Sequence, residues 1–224
     1  MNEKYEFVPG DEKVIAPGRT VKRIRALVAI SYFVSPGSLG GYIESEACLS
    51  VYGDAWVYGD AQVYGDARVY GDAWVYGDAQ VYGDAWVYGD AQVYGDARVS
   101  GNARVYGDAQ VSGDARVSGD ARVSGNAQVY GDARVSGNAR VYGDAWVYGR
   151  GLIVWFTGVG YEYGTLTVYN SKDNTIEVTR GCFKGSIDEF LEASEKRHDD
   201  DTHLEYRLLI EVAYNRITKA RWMK

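Results

Sequence analysis

The chain has 224 residues, 25% charged and 46% hydrophobic, ordinary values for a soluble globular protein of one sizeable domain or two small ones. Its formal net charge of −7 excludes coating of DNA by bulk charge, although local basic stripes stay open to a ligand. The longest apolar runs, "ALVAI" and "LIVWF", are too short to span a membrane, and the polar start "MNEKYEFVPGDEK" carries no signal-peptide pattern, so a cytoplasmic protein is expected.

Residues 1–38 read as an N-terminal cap. Within them "VKRIRALVAI" is strand-like, with Val21, Ile24, Leu27 and Ile30 as apolar contacts. "LGGYIESEACLS" then leads into a repeat, and Ile43 and Leu49, six residues apart, fit an inward slot. Leu49 to Val57 is eight residues, so the register slips by two around Val51.

Sixteen hexads run from Val51 to Trp146, each reading Val, Tyr or Ser, Gly, Asp or Asn, Ala, and then Trp, Gln or Arg. Ala-x-Val-Tyr alternates in and out like a half-buried strand, and Gly-Asp or Gly-Asn breaks it as a turn. A meander of two-residue hairpins would swap the apolar face at every strand and leave no consistent core. A solenoid keeps all Val and Ala inside and all Tyr and sixth letters outside. The repeat therefore predicts an all-β solenoid over residues 39–150.

After Tyr148 the hexad decays, and residues 151–224 read as a small α+β unit. "LIVWFTGV", "TLTVYNS" and "TIEVTRGCF" are β-rich. "SIDEFLEASEKRH" opens with Ser186 and Glu189 at capping-box spacing and sets Ile187, Phe190 and Leu191 on one face. "HLEYRLLIEVAYNRI" places Leu204, Leu208 and Val212 at helical spacing.

The uninterrupted hexads resemble the hexapeptide-repeat proteins with a left-handed parallel β-helix. The resemblance implies a triangular coil of three hexads, identical residues stacked eighteen apart, and about five coils, with handedness taken from the family alone. "RIRAL", "LGGYIESEA", the Ser-bearing hexads and "RGCFKGSIDEFL" resemble a group of such proteins found in phage and prophage sequences. The hexapeptide-repeat family implies a homotrimer; the phage-type group implies the cytoplasm of a bacterial host and carries no settled activity.

Hexapeptide acyltransferases need a His on the helix wall and a protruding loop. Here the only histidines, His198 and His203, lie outside the repeat and no loop interrupts it, so catalysis and cofactors are not expected. Cys48 and Cys182 match no metal or redox spacing and read as free, buried thiols. Cys182 with His198, aided by Arg180, is the weak catalytic alternative.

Stacking at eighteen sorts the sixth letters into three outer columns. Trp and Gln dominate the early coils; Arg98, Arg104, Arg116, Arg122, Arg134 and Arg140 fill two columns of the later ones. Ser replaces Tyr at 100, 112, 118, 124 and 136, where the arginines are densest. Eleven outward Tyr and four outward Trp call for something to cover them, which a trimer would do. The six arginines, with Tyr106 and Tyr130, suit a phosphate-bearing ligand with a flat base. The function expected is a non-catalytic trimer that sequesters a small nucleotide-like anion, as in counter-defence. A structural or host-protein-binding scaffold is the alternative, and turn Asp residues that neutralise each Arg would favour it.

Overall fold

The computed structural model describes residues 2–222. The repeat forms a parallel β-solenoid of about six turns with three faces. On the first face Gln62, Gln80, Arg98, Arg116 and Arg134 pair in register. On the second Arg68, Trp86, Arg104, Arg122 and Arg140 do so. On the third the column is Trp56, Trp74, Gln92, Gln110, Gln128 and Trp146. Every step is eighteen residues, as the hexad count requires.

Each two-residue strand is held by bonds to the next coil. Arg98 N–H donates to Ala115 O at 2.9 Å, and Ser100 N–H to Val117 O at 2.9 Å. Every hexad Ala and Val from Ala55 to Val147 is at most 1% exposed. Methyl and isopropyl side chains fill this interior at every level. Corners turn on glycine for two reasons. Gly89 has φ +71°, which L side chains avoid, and a Cβ there would lie 3.0 Å from the Gly107 backbone nitrogen of the next coil. Outside, the tyrosines stack. Tyr70 on Tyr88 and Tyr76 on Tyr94 lie 4.8 Å apart and within 4° of parallel. The stacked rings are half-buried, so the chain itself covers part of its aromatic surface.

The two-residue slip falls in the exposed bend Val51–Asp54. Ile43 pairs with Val63 and Leu49 bridges Val69, each twenty residues apart rather than eighteen. Val51 is 40% exposed, so the first hexad is not a regular coil and its Val does not point inward. Trp56, expected outside, is fully buried: its ring meets Tyr5 at 6.3 Å and packs where a Cβ on Gly40 would stand.

The N-terminal strands β1 (Tyr5–Ala16) and β2 (Arg19–Ala26) form a hairpin, and β2 pairs antiparallel with β3 (Leu39–Ile43), the first strand of the first face. Val21, Ile24 and Ile30 are buried, but Leu27 is exposed. Lys4 is the keystone of this end. Its Nζ donates to the carbonyls of Ser50 (3.1 Å), Gly53 (2.9 Å) and Ala55 (2.7 Å), which the slipped bend leaves without strand partners. Burial pushes its ammonium down to about 8, against the pull of Asp54 and Asp72.

At the other end a four-stranded antiparallel sheet closes the last coil: β4 (Ile153–Val159), β5 (Gly164–Asn170), β6 (Ile176–Arg180) and β7 (Phe183–Ser186). Its polar side chains take the place of a further coil. Thr167 accepts from Arg140 N–H, Thr179 donates to Arg140 O, Tyr169 accepts from Tyr142 N–H, and Asn170 donates to Trp146 O. Helix α1 (Ile187–Arg197) starts with the expected capping box, Ser186 with Glu189, and buries Phe190. Helix α2 (Asp200–Trp222) departs from expectation: Tyr206, Ile210, Ala213 and Ile217 face the sheet, and Leu204, Leu208 and Val212 face solvent. The sequence carries two apolar stripes on this helix, and the other one packs.

Two stability tests follow from these packings. Ala127→Leu should overfill the buried core and cost about 1–3 kcal/mol, whereas Gln128→Leu, on the exposed side of the same wall, should change stability by less than about 0.5 kcal/mol; chemical denaturation reads both. Lys4→Met keeps the stem but strands three carbonyls, and should cost about 2–4 kcal/mol by the same measurement.

Candidate functional site

Closing the solenoid with a sheet that is not itself a coil leaves a cleft along the second face. One cavity of about 260 Å³ is lined by Asp120, Arg122, Asn138 and Arg140 from the coils, and by Tyr163, Gly164, Thr165, Arg180 and Gly181 from the sheet. A neighbouring cavity of about 190 Å³ shares Arg180 and Gly181 and adds Cys182, His198, Tyr161, Glu162, Arg197 and Tyr206. Arg180 therefore stands between the two.

Arg180 is the residue that sequence reasoning gave only a supporting part. Its side chain is 10% exposed. One terminal nitrogen donates to Val159 O at 3.0 Å, the other lies 3.7 Å from the Glu162 carboxylate, and the guanidinium sits 5.9 Å from the Tyr206 ring. Its Nε is buried and has no hydrogen-bond partner among the described residues. The guanidinium fits only because residue 164 is glycine, since a Cβ there would run into it. Burying a cation with an unused donor is costly, and the nearby Glu162 carboxylate and Tyr206 ring offset part of that cost.

The predicted ligand residues separate. Arg98, Arg116 and Arg134 form an exposed column on the first face, outside the cleft. On the second face Arg104 lies over Trp86 at 5.1 Å, while Arg122 and Arg140 reach the cleft. Arg140 Nη1 also donates to Gly181 O at 2.7 Å, which ties the solenoid to the β6–β7 turn. Tyr106 stacks on Tyr88 at 4.9 Å, and Tyr130 stands on the glutamine face against Tyr148 at 5.8 Å; neither lines the cleft.

Turn carboxylates do not neutralise these arginines. Among the described residues none of the six is within 4.0 Å of a carboxylate oxygen. The Asp columns are relieved by amides instead: Asn102 donates to Asp120 and Asn126 to Asp144, each at 3.0 Å. The cleft thus holds three guanidinium groups against the Asp120 carboxylate, which the Asn102 amide already engages.

Cys182 and His198 line one cavity, but no hydrogen bond joins them. His198 Nδ1 and His203 Nδ1 each lie 3.2 Å from the buried Ser194 hydroxyl, which locks the α1–α2 joint. Cys182 is exposed in the β6–β7 turn rather than buried, because Gly181, at φ +60°, turns the chain outward there; Cys48 is buried as expected.

A family model of the YdcK beta-solenoid repeat matches the chain at residues 61–77, 79–95, 91–107, 97–113, 109–125, 115–131, 127–138 and 133–149. The similarity lies within the coils and leaves both caps outside it. No curated protein matches the chain.

The two thiols should be told apart by a disulfide reagent. Cys182 should react at once in the folded protein and Cys48 only after unfolding; two fast thiols, or none, would contradict the burial assigned to them.

Proposed function

We propose that this protein binds a small anionic, nucleotide-like ligand without converting it, with phosphate oxygens held between Arg122, Arg140 and Arg180. The observation that carries the reading is a cleft lined by three guanidinium groups, two of them without a carboxylate partner among the described residues and the third, Arg180, 3.7 Å from Glu162. Arginine forks match phosphate oxygens in pairs, and a partly enclosed site strengthens each charged bond. The Tyr163 ring is exposed at the rim and offers a face on which a base can stack. A cavity of about 260 Å³ suits a phosphate with part of a nucleoside and is too small for a duplex. Sequestration of a phosphorylated signal by a phage-type protein is the role that this chemistry would serve. Threefold association of the solenoids belongs to the same proposal and rests on the family resemblance.

Calorimetry of the intact protein with linear and cyclic nucleotides tests it. Binding should weaken by about tenfold or more for Arg122→Ala, and should be unchanged for Arg98→Ala on the neighbouring face. It should fall with added salt, and the nucleotide should be recovered intact. Absence of binding across the panel would favour a scaffold. A chemically altered nucleotide, with turnover lost in Cys182→Ala, would favour a Cys-dependent enzyme using the adjoining cavity.

A further inference from the structure

Helix α2 carries an apolar stripe that the chain itself leaves uncovered. Leu204 is 41% exposed, Leu208 52% and Val212 48%. They recur every four residues, opposite the face that Tyr206, Ile210, Ala213 and Ile217 pack on the sheet. The helix is 23 residues long, about 34 Å, and the stripe runs along its first half to just past the midpoint.

The charges around the stripe are ordered. Asp201 and Lys219 are eighteen residues apart, five full turns, so they lie in line with the stripe at its two ends. Glu205 and Arg216 border it on one side, Arg207 and Glu211 on the other. Among the described residues none of these six takes part in an ion pair.

We infer that the occupant of this stripe is α2 of a second copy of the chain, packed antiparallel about a twofold axis near residue 210. In that register Leu208 meets the partner's Val212, and Asp201 meets the partner's Lys219 at both ends. Glu205 lies beside the partner's Arg216, and Arg207 beside the partner's Glu211. All three kinds of charged contact are then of opposite sign. A parallel pair would instead set Asp201 on the partner's Asp201 and Lys219 on the partner's Lys219. Self-complementary surfaces of this kind are what a twofold interface requires. One helix pair buries less than the roughly 1,600 Å² of a standard interface, so the dissociation constant belongs in the micromolar range. This association is separate from ligand binding and from any contact between solenoids, and it leaves the arginine cleft open.

Light scattering on the full chain, at about 100 μM and on dilution, tests the inference. The expected mass is twice 24.8 kDa, or an even multiple of it, falling on dilution. Leu208→Glu, an exposed substitution, should weaken the association by about tenfold or more with little change in the unfolding midpoint. Asp201→Lys and Lys219→Asp should each weaken it, and mixing the two variants should restore it as a mixed pair. A mass of one chain throughout, an association indifferent to Leu208→Glu, or variants that fail to pair when mixed would each overturn it.

Discussion

A parallel stack of coils satisfies its backbone only by pairing each coil with the next. That single constraint governs the molecule. The interval must be eighteen residues, the interior must accept the same small side chains at every level, and the corners must pass so close that a Cβ on Gly89 would lie 3.0 Å from the Gly107 nitrogen. A repeat this monotonous is what such a stack demands, because one large inward residue would be felt by the coils above and below. The same constraint creates two open edges, where N–H and C=O groups have no further coil to meet. The ends solve this differently. At the start a lysine ammonium collects three carbonyls; at the finish the side chains of a crosswise sheet replace a strand.

Except at Trp56, the free letter of the hexad has no duty in the core, so it is where composition can vary. Identical charges stacked on adjacent coils repel, and the chain answers this unevenly. Two of its three acidic columns are interrupted, one by Asn126 and one by Asn102 and Asn138, while the column from Asp60 to Asp132 is continuous. Its arginine columns are not interrupted at all from Arg98 to Arg134 or from Arg104 to Arg140. Leaving like charges in register about 4.8 Å apart opposes folding modestly in water, where screening is strong. An anion laid along them would relieve that repulsion, and the second face is where the cap walls the column in.

Sequence alone reveals the solenoid because the pattern is local: Ala-x-Val followed by Tyr or Ser fixes the faces, and Gly with Asp or Asn the corners, along the whole repeat. It also reveals the three outer columns, residue by residue. What it hides depends on long-range placement. Two stripes on α2 both have helical spacing, and nothing local says that Tyr206 and Ile210 pack while Leu204 and Leu208 do not. Trp56 follows the outward rule in its hexad and is buried because the N-terminal cap folds over it. Arg180 stands in an unremarkable "TRGCF", and its burial follows from the glycine at 164, on another strand.

The cap and the cleft are therefore one structure. Thr179 closes the backbone of the last coil, and Arg180, the next residue, turns into the space that the closure leaves. Arg140 supplies a coil N–H to Thr167 and its guanidinium to Gly181 O, so the same residue anchors the cap and lines the cavity. A ligand held between Arg122 on the solenoid and Arg180 on the sheet would bridge the two units. Its binding energy would then add to cap docking in proportion to the logarithm of its concentration. The solenoid supplies rigidity, since its coils cannot shift singly without breaking the eighteen-residue register. The sheet supplies the non-repeating residues that a periodic wall cannot provide. A specific site on this protein has to lie where the repeat meets something that does not repeat, and the second face below β5 and β6 is such a place.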